Sequence, residues 1–398
     1  MQQLSSSSRC ASLVTLSVVL FSVVGTSSAQ EAAGRGVVPQ AEFNDVATLP
    51  PPGPHRLVIG GTFQAGAVRV VDGDKMRLVG SFFAAPGSNL VVGPNDRYYL
   101  AETSVARGNR GPAQNYVSIY DDQLKLVGEV DIPGRLKSVP KTQTFDVSAD
   151  GRLGYVFNMQ PAASVNVVDL QSRKVTVTVE VPGCGLVYPF GNTGFASLCG
   201  DGSAAIATPA AKGKYAVTRT KRFFDAEKDP VFEESLVDRQ TGKALLITFT
   251  GRVLPVTLGA NPVFEEPWSL QEAAGHPLPS VAPEMLAWRP GGSHLAAWHK
   301  ASGRLFVLMH PGTHWTHQQD GTEVWVFDIG AHKRVARFAL SKPGSSIAVT
   351  QDAEPLLFVV ASASGGPGGG LTALNAKTGE EKGALPGVTG GILGVHGF

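Results

Sequence analysis

Three histidines in one short segment are the residues with the clearest potential for chemistry. The segment MHPGTHWTHQQDGTEVW (309–325) contains His310, His314 and His317, and further candidate ligands nearby are His299, Asp320 and Glu323. Three imidazoles with a carboxylate are a ligand set that zinc uses. However, the spacing matches no helical metal motif, and the Pro-Gly pair after His310 predicts an irregular loop. We favour a polar loop at a surface or interface, keep a metal site as the alternative, and assign no metal ligand.

Two cysteines are the other candidates. Cys10 lies in the N-terminal leader described below, which leaves Cys184 and Cys199, 15 positions apart on either side of a turn-rich segment. In an oxidising compartment this pattern favours one disulfide, with two unpaired buried thiols as the alternative. Neither interpretation supplies a reactive thiol.

Other catalytic signatures do not emerge from the sequence. The segment GGPGGG (365–370) lacks the lysine and hydroxyl residue of a phosphate loop, and no nucleophile elbow precedes a helix. The five tryptophans are expected to pack mostly inside the fold, with one or two as interface anchors: Trp268, Trp288, Trp298, Trp315 and Trp325. We therefore assign no catalytic and no cofactor-binding residue to this chain.

A repeated pattern shows which elements must position these residues. A β-branched strand ends in an acidic or amide residue, and a polar turn and a second strand follow. The closing residues are Asp72, Asp121, Asp169, Asp328 and Asn375. Most copies are about 48 residues apart, and the one long gap accommodates two degenerate copies, at 202–224 and 251–270. The sequence therefore contains seven copies.

A second pattern, a polar turn followed by a strand, falls between these copies at 92–102, 147–158, 237–250, 299–310 and 349–362. Each unit then holds about four strands, which is the size of a propeller blade. We predict an all-β fold, a seven-bladed β-propeller over residues 55–398, with one helical turn in a loop at 265–275.

The N-terminal segment predicts export. Arg9 is the one charged residue before residue 31, an apolar run follows at 13–24, and small residues lead to a cleavage site after Ala29. We predict a signal peptide over 1–29, with an uncleaved anchor as the alternative, and an extended arm over 30–54. No later stretch is apolar enough to span a membrane after signal cleavage, and a net charge of +1 gives no sign of a nucleic-acid partner.

The residues from about 90 to 360 resemble the heavy subunit of quinoprotein amine dehydrogenases, most closely that of aromatic amine dehydrogenase. The matching pieces stand in the same order as in that family: CGDG (199–202), FFDAEKDPVF (223–232), EEPWSL (265–270), WRPGG (288–292), HKASGRLFVLMHPGTH (299–314), EVWVFD (323–328) and RVARF (334–338). The two cysteines match the single heavy-chain disulfide of the family, so the resemblance implies a Cys184–Cys199 bond.

The resemblance implies a periplasmic assembly of two heavy and two light subunits. The light subunit carries the catalytic groups and the cofactor tryptophan tryptophylquinone. A primary amine is oxidised to an aldehyde and ammonia, and the electrons pass to a blue copper protein. The heavy chain frames the substrate channel and docks its partners.

One segment departs from the family. Family members carry an aromatic residue that gates the substrate channel ahead of the strand matching YVSIYD (116–121). Here the segment reads AETSVARGNRGPAQN (101–115), with Ser104 or Val105 near the gating position. We therefore expect a wider channel, another substrate or a different light chain, and transfer no gating residue.

Three hypotheses remain from different functional classes. The favoured one is the amine dehydrogenase heavy subunit. The second is an exported propeller that acts as a protein-binding scaffold. The third is a propeller lactonase with a metal in the central channel, which requires several ligating side chains to converge on the axis.

Overall fold

The computed structural model describes residues 48–60, 66–94, 96–108, 110–136, 141–361 and 368–397. The predicted signal peptide and most of the predicted arm lie outside these residues. The described part is built from β-strands, and its three helices are single 3₁₀ turns at Thr142–Thr144, Ala211–Gly213 and Glu272–Ala274. None of the described helices is long and apolar enough to cross a membrane.

The strands form seven antiparallel sheets, which confirms the predicted seven-bladed β-propeller. Blade 1 contains β1 (Arg56–Gly60), β2 (Ala67–Asp72) and β3 (Arg77–Phe83). Blade 2 contains β4 (Asn89–Val92), β5 (Tyr98–Arg107), β6 (Arg110–Tyr120) and β7 (Leu126–Asp131). Blade 3 contains β8 (Arg135–Leu136), β9 (Phe145–Val147), β10 (Leu153–Gln160), β11 (Ser164–Asp169) and β12 (Lys174–Glu180).

The second half of the chain continues the series. Blade 4 contains β13 (Cys184–Phe190), β14 (Gly194–Cys199), β15 (Ala204–Pro209) and β16 (Tyr215–Arg219). Blade 5 contains β17 (Leu236–Val237), β18 (Lys243–Ile247), β19 (Arg252–Thr257), β20 (Val263–Phe264) and β21 (Trp268–Ser269). Blade 6 contains β22 (Ala287–Pro290), β23 (Ala296–His299), β24 (Arg304–Gly312), β25 (Gly321–Asp328) and β26 (Lys333–Gly344). Blade 7 contains β27 (Ser346–Val349), β28 (Leu356–Ala361), β29 (Gly370–Asn375) and β30 (Glu381–Pro386), and β31 (Ile392–Val395) follows it.

The ring closes when the end of the chain returns to its beginning. Strand β31 becomes the innermost strand of blade 1 and pairs with β1 through Leu57 opposite Val395 and Ile59 opposite Leu393. Closure places each of the described sheets, four of which have four strands and three of which have five, between two neighbouring sheets, so that both of its faces are packed. The described residues accordingly form seven hydrophobic clusters, each shared by two adjacent blades.

The repeated acidic or amide residue has a local structural role. Each of the five closes the third strand of a blade, and its side-chain oxygen accepts backbone N–H bonds from the turn to the outer strand. At Asp169 these bonds come from Gln171 (3.1 Å) and Ser172 (2.7 Å). Equivalent bonds occur at the other four positions: Asp72, Asp121, Asp328 and Asn375. Asp and Asn recur here because they satisfy donors that a tight turn leaves open.

The two degenerate copies of the repeat that the spacing predicted are present as strands. The copy at 202–224 forms β15 and β16, and the copy at 251–270 forms β19, β20 and β21. The first lacks the acidic turn residue, and its turn is instead a 3₁₀ turn with Lys212 in the left-handed region at φ 59°. The helical turn predicted at 265–275 is present as the short 3₁₀ helix that begins at Glu272.

Candidate functional site

The strand order sorts the connections onto the two ends of the propeller. Turns from the first to the second strand of a blade, and from the third to the outer strand, lie at one end. Connections from the second to the third strand, and the links between blades, lie at the other, which we call the linker face. Its longer segments are 220–235, 265–286 and 313–320.

The three histidines predicted as a cluster lie near this face in separate environments. His310 on β24 is fully buried, its Nε2 has no hydrogen-bond partner among the described residues, and burial lowers the pKa of its imidazole. His314 is 1% exposed, and its Nε2 donates to the carbonyl oxygen of Lys228 at 2.7 Å. His317 stacks on Phe249 with the ring centroids 4.0 Å apart.

The other candidate ligands lie apart from these histidines. His299 is at the opposite end of its blade, where Nδ1 lies 2.7 Å from the Ser302 hydroxyl. Glu323 accepts hydrogen bonds from the indole of Trp325 and the guanidinium of Arg337. Among the described residues, no three His, Cys, Asp or Glu side chains are arranged to hold a metal ion. The lactonase hypothesis therefore finds no ligand set in this part of the chain.

Arg289 organises the loop that carries the histidines, and the sequence analysis did not single it out. It is 1% exposed although it carries a full charge. Its Nε donates to the carbonyl of Gly312 at 3.2 Å, and its Nη2 donates to the carbonyls of Ser280 (2.7 Å) and Met285 (3.4 Å). A buried guanidinium must satisfy its donors, so Arg289 ties the 278–286 segment to the 312–317 segment.

The two tied segments present large apolar side chains to solvent. Leu286 is 72% exposed, Met285 54% and Trp315 52%, and Leu278 and Val281 are also exposed. Elsewhere on the linker face, Phe83 and Met159 are exposed as well. Trp315 is the one tryptophan among the five that is largely exposed, so it is the residue that fits the predicted interface anchor.

The position expected to hold a gating aromatic lies on a long hairpin of blade 2. Ser104 and Val105 are half-buried on β5, where they pair with Gln114 and Ala113 of β6. The phenol of Tyr116, whose pKa burial raises, interacts with the hydroxyl of Ser104. The hairpin therefore places the aromatic ring of Tyr116 beside Ser104, although Tyr116 lies on β6 and the expected gating position lies on β5.

A polar cluster lies at the linker-face end of the cavity between the innermost strands. The Lys141 ammonium lies 2.9 Å from a carboxylate oxygen of Glu234 and 3.5 Å from one of Glu233. Burial raises the pKa of Glu234 to about 7, against the opposing effect of the lysine. Burial also lowers the pKa of His294, which lines the cavity, to about 4. The cluster joins blades 3, 5 and 6 around the axis.

Cys184 and Cys199 form a disulfide bond in the structure. Strands β13 and β14 place Cys184 opposite Cys199, and their sulfur atoms are 2.13 Å apart. Both residues are buried at the linker-face end of blade 4.

The comparison with protein families gives one match over most of the chain. A family model described as methylamine dehydrogenase heavy chain matches residues 59–391. The methylamine dehydrogenase heavy chain of Methylobacillus flagellatus is 28% identical over 322 residues, which cover 80% of this chain and 78% of that protein. The heavy chain of Paracoccus versutus is 27% identical over 356 residues, covering 86% of this chain and 79% of that protein.

Similar solved structures share the propeller fold. The periplasmic gluconolactonase PpgL of Pseudomonas aeruginosa has a TM-score of 0.57 at 15% identity, and the match covers 85% of this chain and 98% of that one. The dihydro-heme d1 dehydrogenase NirN has a TM-score of 0.52 at 17% identity, with coverage of 85% and 74%. At these identities the likeness extends to the fold alone.

Proposed function

This chain belongs to the methylamine dehydrogenase heavy chain family, and on that premise we propose that it is the heavy subunit of a periplasmic amine dehydrogenase. In this proposal the assembly oxidises a primary amine to an aldehyde and ammonia and passes the electrons to a blue copper protein. The observation that carries the proposal is the family match, which extends over residues 59–391 and so includes strands of all seven blades.

The catalytic groups are proposed to lie on a light subunit, in an assembly of two heavy and two light chains. The cofactor tryptophan tryptophylquinone, built from two tryptophans of that subunit, would accept the electrons of the amine. The role of the present chain is to frame the substrate channel and dock its partners. No group of catalytic side chains has been assigned to it, and its two paired cysteines offer no thiol nucleophile.

The linker face supports a docking role. It exposes several large apolar side chains, among them Phe83 (80% exposed) and Leu286 (72% exposed). Exposed apolar groups at this density mark interaction sites on soluble proteins. A permanent heavy–light contact is expected to bury more than about 2,000 Å².

The hairpin of blade 2 bears on the choice of amine. Ser104 and Val105 offer less bulk than an aromatic ring at the gating position, which favours an entrance that admits a bulkier amine than methylamine. Export to the periplasm is supported by the predicted signal peptide over 1–29 and by the disulfide, since disulfides persist in oxidising compartments.

The proposal is tested by isolating the protein from the periplasm of cells that express it with its neighbouring genes. A denaturing gel is expected to show a second, small subunit in a one-to-one ratio with this chain. Recovery of this chain alone, or from the cytoplasm, contradicts the heavy-subunit proposal and favours the scaffold hypothesis.

A further inference from the structure

Three buried polar atoms without a hydrogen-bond partner belong to side chains that meet where β31 closes the ring against β1. They are Nη1 of Arg56, which begins β1, the phenolic oxygen of Tyr98, which begins β5, and Nε2 of His396, which follows β31. Arg56 is 4% exposed and Tyr98 is fully buried. Buried polar groups of native proteins are nearly always hydrogen-bonded. Three such atoms without a partner in the described part of the chain therefore indicate a place that a small ligand or water fills.

The three side chains are close neighbours. The rings of Tyr98 and His396 meet edge to face, with their centroids 6.0 Å apart. Burial raises the pKa of Tyr98 and Arg56 opposes this change, whereas burial lowers the pKa of His396 and Arg56 adds to that change. The three atoms have no hydrogen bonds to one another. A small group placed between them can therefore bind to all three.

The charge of Arg56 favours an anion at this place. Its Nη2 donates to the carbonyl oxygen of Pro50, and within the described residues its guanidinium has no ion pair. A buried charge is costly unless it is paired. The guanidinium and the hydroxyl of Tyr98 both supply donors, and hydrogen bonds from such donors to an anion are the strong ones. The carboxylate that contacts the cluster, that of Asp96, lies at the other ring nitrogen of His396.

His396 makes the site sensitive to pH. Its Nδ1 lies 2.6 Å from a carboxylate oxygen of Asp96, so in the neutral ring Nδ1 carries the proton and Nε2 has a lone pair, which repels an anion. The protonated ring presents Nε2–H as a third donor. Burial lowers the pKa of His396, Asp96 raises it and Arg56 lowers it. Asp122 adds a weaker negative potential at Tyr98. An anion beside Nε2 offsets the effect of Arg56, so proton and anion favour each other's binding.

We propose that Arg56, Tyr98 and His396 form a binding site for a small inorganic anion such as chloride, and that His396 takes up a proton when the anion binds. The site joins β1, β5 and the residue after β31, so the bound anion fastens the closure of the ring. Pro50, which accepts a hydrogen bond from Arg56, places the segment before β1 against the same site. This inference does not depend on the proposed function.

The test compares chloride and bromide with gluconate, a bulky anion, at equal ionic strength, using the protein as purified with any subunit that accompanies it. Saturating halide is expected to raise the midpoint of thermal unfolding by about 2–3 °C, because a ligand of the folded state stabilises it. The rise is expected to be larger at pH 5.5 than at pH 8, since the protonated fraction of His396 falls about tenfold per pH unit above its pKa. Anomalous diffraction from bromide-soaked crystals is expected to place a bromide beside Arg56.

Substitutions separate this site from general effects of salt. Tyr98→Phe removes one donor with little change of shape, and it is expected to weaken halide binding roughly tenfold. Tyr99→Phe is the matched control, since Tyr99 is the next residue of β5, is 2% exposed and packs in a different hydrophobic cluster. The control is expected to leave the halide effect unchanged. His396→Gln does not titrate, so the halide effect of that variant is expected to be the same at pH 5.5 and pH 8.

Three results contradict the proposal. If halide and gluconate give the same midpoint at pH 5.5 and no bromide lies beside Arg56, water fills the site and no anion binds there. If halide stabilises Tyr98→Phe as much as the unsubstituted protein, the anion binds elsewhere. If the halide effect of the unsubstituted protein is equal at both pH values, His396 takes up no proton with the anion. The proposed function stands or falls separately, on the light subunit and the chromophore.

Discussion

The buried carboxyl group of Glu234 makes the stability of the propeller depend on pH. The residue is 4% exposed, and burial raises its pKa from 4.5 to about 7, although Lys141 at 2.9 Å opposes the change. The folded protein therefore holds this proton more tightly than the unfolded chain. The resulting stabilisation is complete below about pH 4.5 and is lost as the pH rises through about 7. At ~1.4 kcal/mol per pKa unit, the change corresponds to about 3 kcal/mol.

Glu234→Gln removes this dependence, because glutamine stays neutral and has nearly the same shape. Lys141 retains Glu233, 3.5 Å away, as a partner. At pH 8 the variant is expected to exceed the unsubstituted protein in free energy of unfolding by up to about 3 kcal/mol, and at pH 5 the two should differ by much less. Urea unfolding at the two pH values measures both differences.

The matched control is Glu233→Gln, since that carboxylate contacts the same lysine but its side chain is 38% exposed. An exposed pair contributes less than about 1 kcal/mol, so we expect a small change that is similar at both pH values. If Glu234→Gln is no more stable than the unsubstituted protein at pH 8, or if its effect is the same at pH 5, the assignment of a raised pKa to Glu234 is wrong.

Two further predictions concern the closure of the ring and blade 4. The Nδ1 atom of His55 lies 2.6 Å from a carboxylate oxygen of Asp74, and its Nε2 lies 3.2 Å from one of Asp352. Burial lowers the pKa of His55, but the two carboxylates raise it by a larger amount, so the pKa is above its usual value of 6.5. His55→Gln should therefore lower stability by about 1.5–3 kcal/mol at pH 5.5 and much less at pH 9, by thermal unfolding; an equal loss at both pH values contradicts this. Replacing Cys184 and Cys199 together by Ser should lower the free energy of unfolding, measured in urea, by about 3 kcal/mol. If a reductant leaves the stability of the unsubstituted protein unchanged, this prediction is contradicted.

The repeating part of the fold could be predicted because it depends on local chemistry. An Asp or Asn at the end of the third strand accepts hydrogen bonds from backbone N–H groups of the turn that follows. Asp121 and Asp169 therefore identify their blades from the local sequence, independently of the other blades. The return of β31 to β1 could not be derived in the same way. This pairing joins strands that are more than 300 residues apart in the sequence, and the residues of 392–395 do not indicate which strand they pair with.

The candidate site was harder to predict because it depends on tertiary contacts. Close spacing in the sequence kept a metal site at His310, His314 and His317 open as an alternative to the favoured polar loop, but a strand end and an irregular loop direct the three side chains into different environments. The role of Arg289 could not be derived from the sequence, since its burial depends on carbonyl groups of two segments that meet only in the folded blade. An arginine in an otherwise acidic stretch is the one feature that could have indicated it.

The most direct test of the central claim is the visible absorption spectrum of the native complex purified with this chain. We expect a quinone absorption band that bleaches when a primary amine is added and returns when an oxidised blue copper protein is supplied. A series of amines of increasing size then identifies the substrate. A complex with no chromophore, or with one that primary amines leave unchanged, would contradict the account of this chain as an amine dehydrogenase heavy subunit.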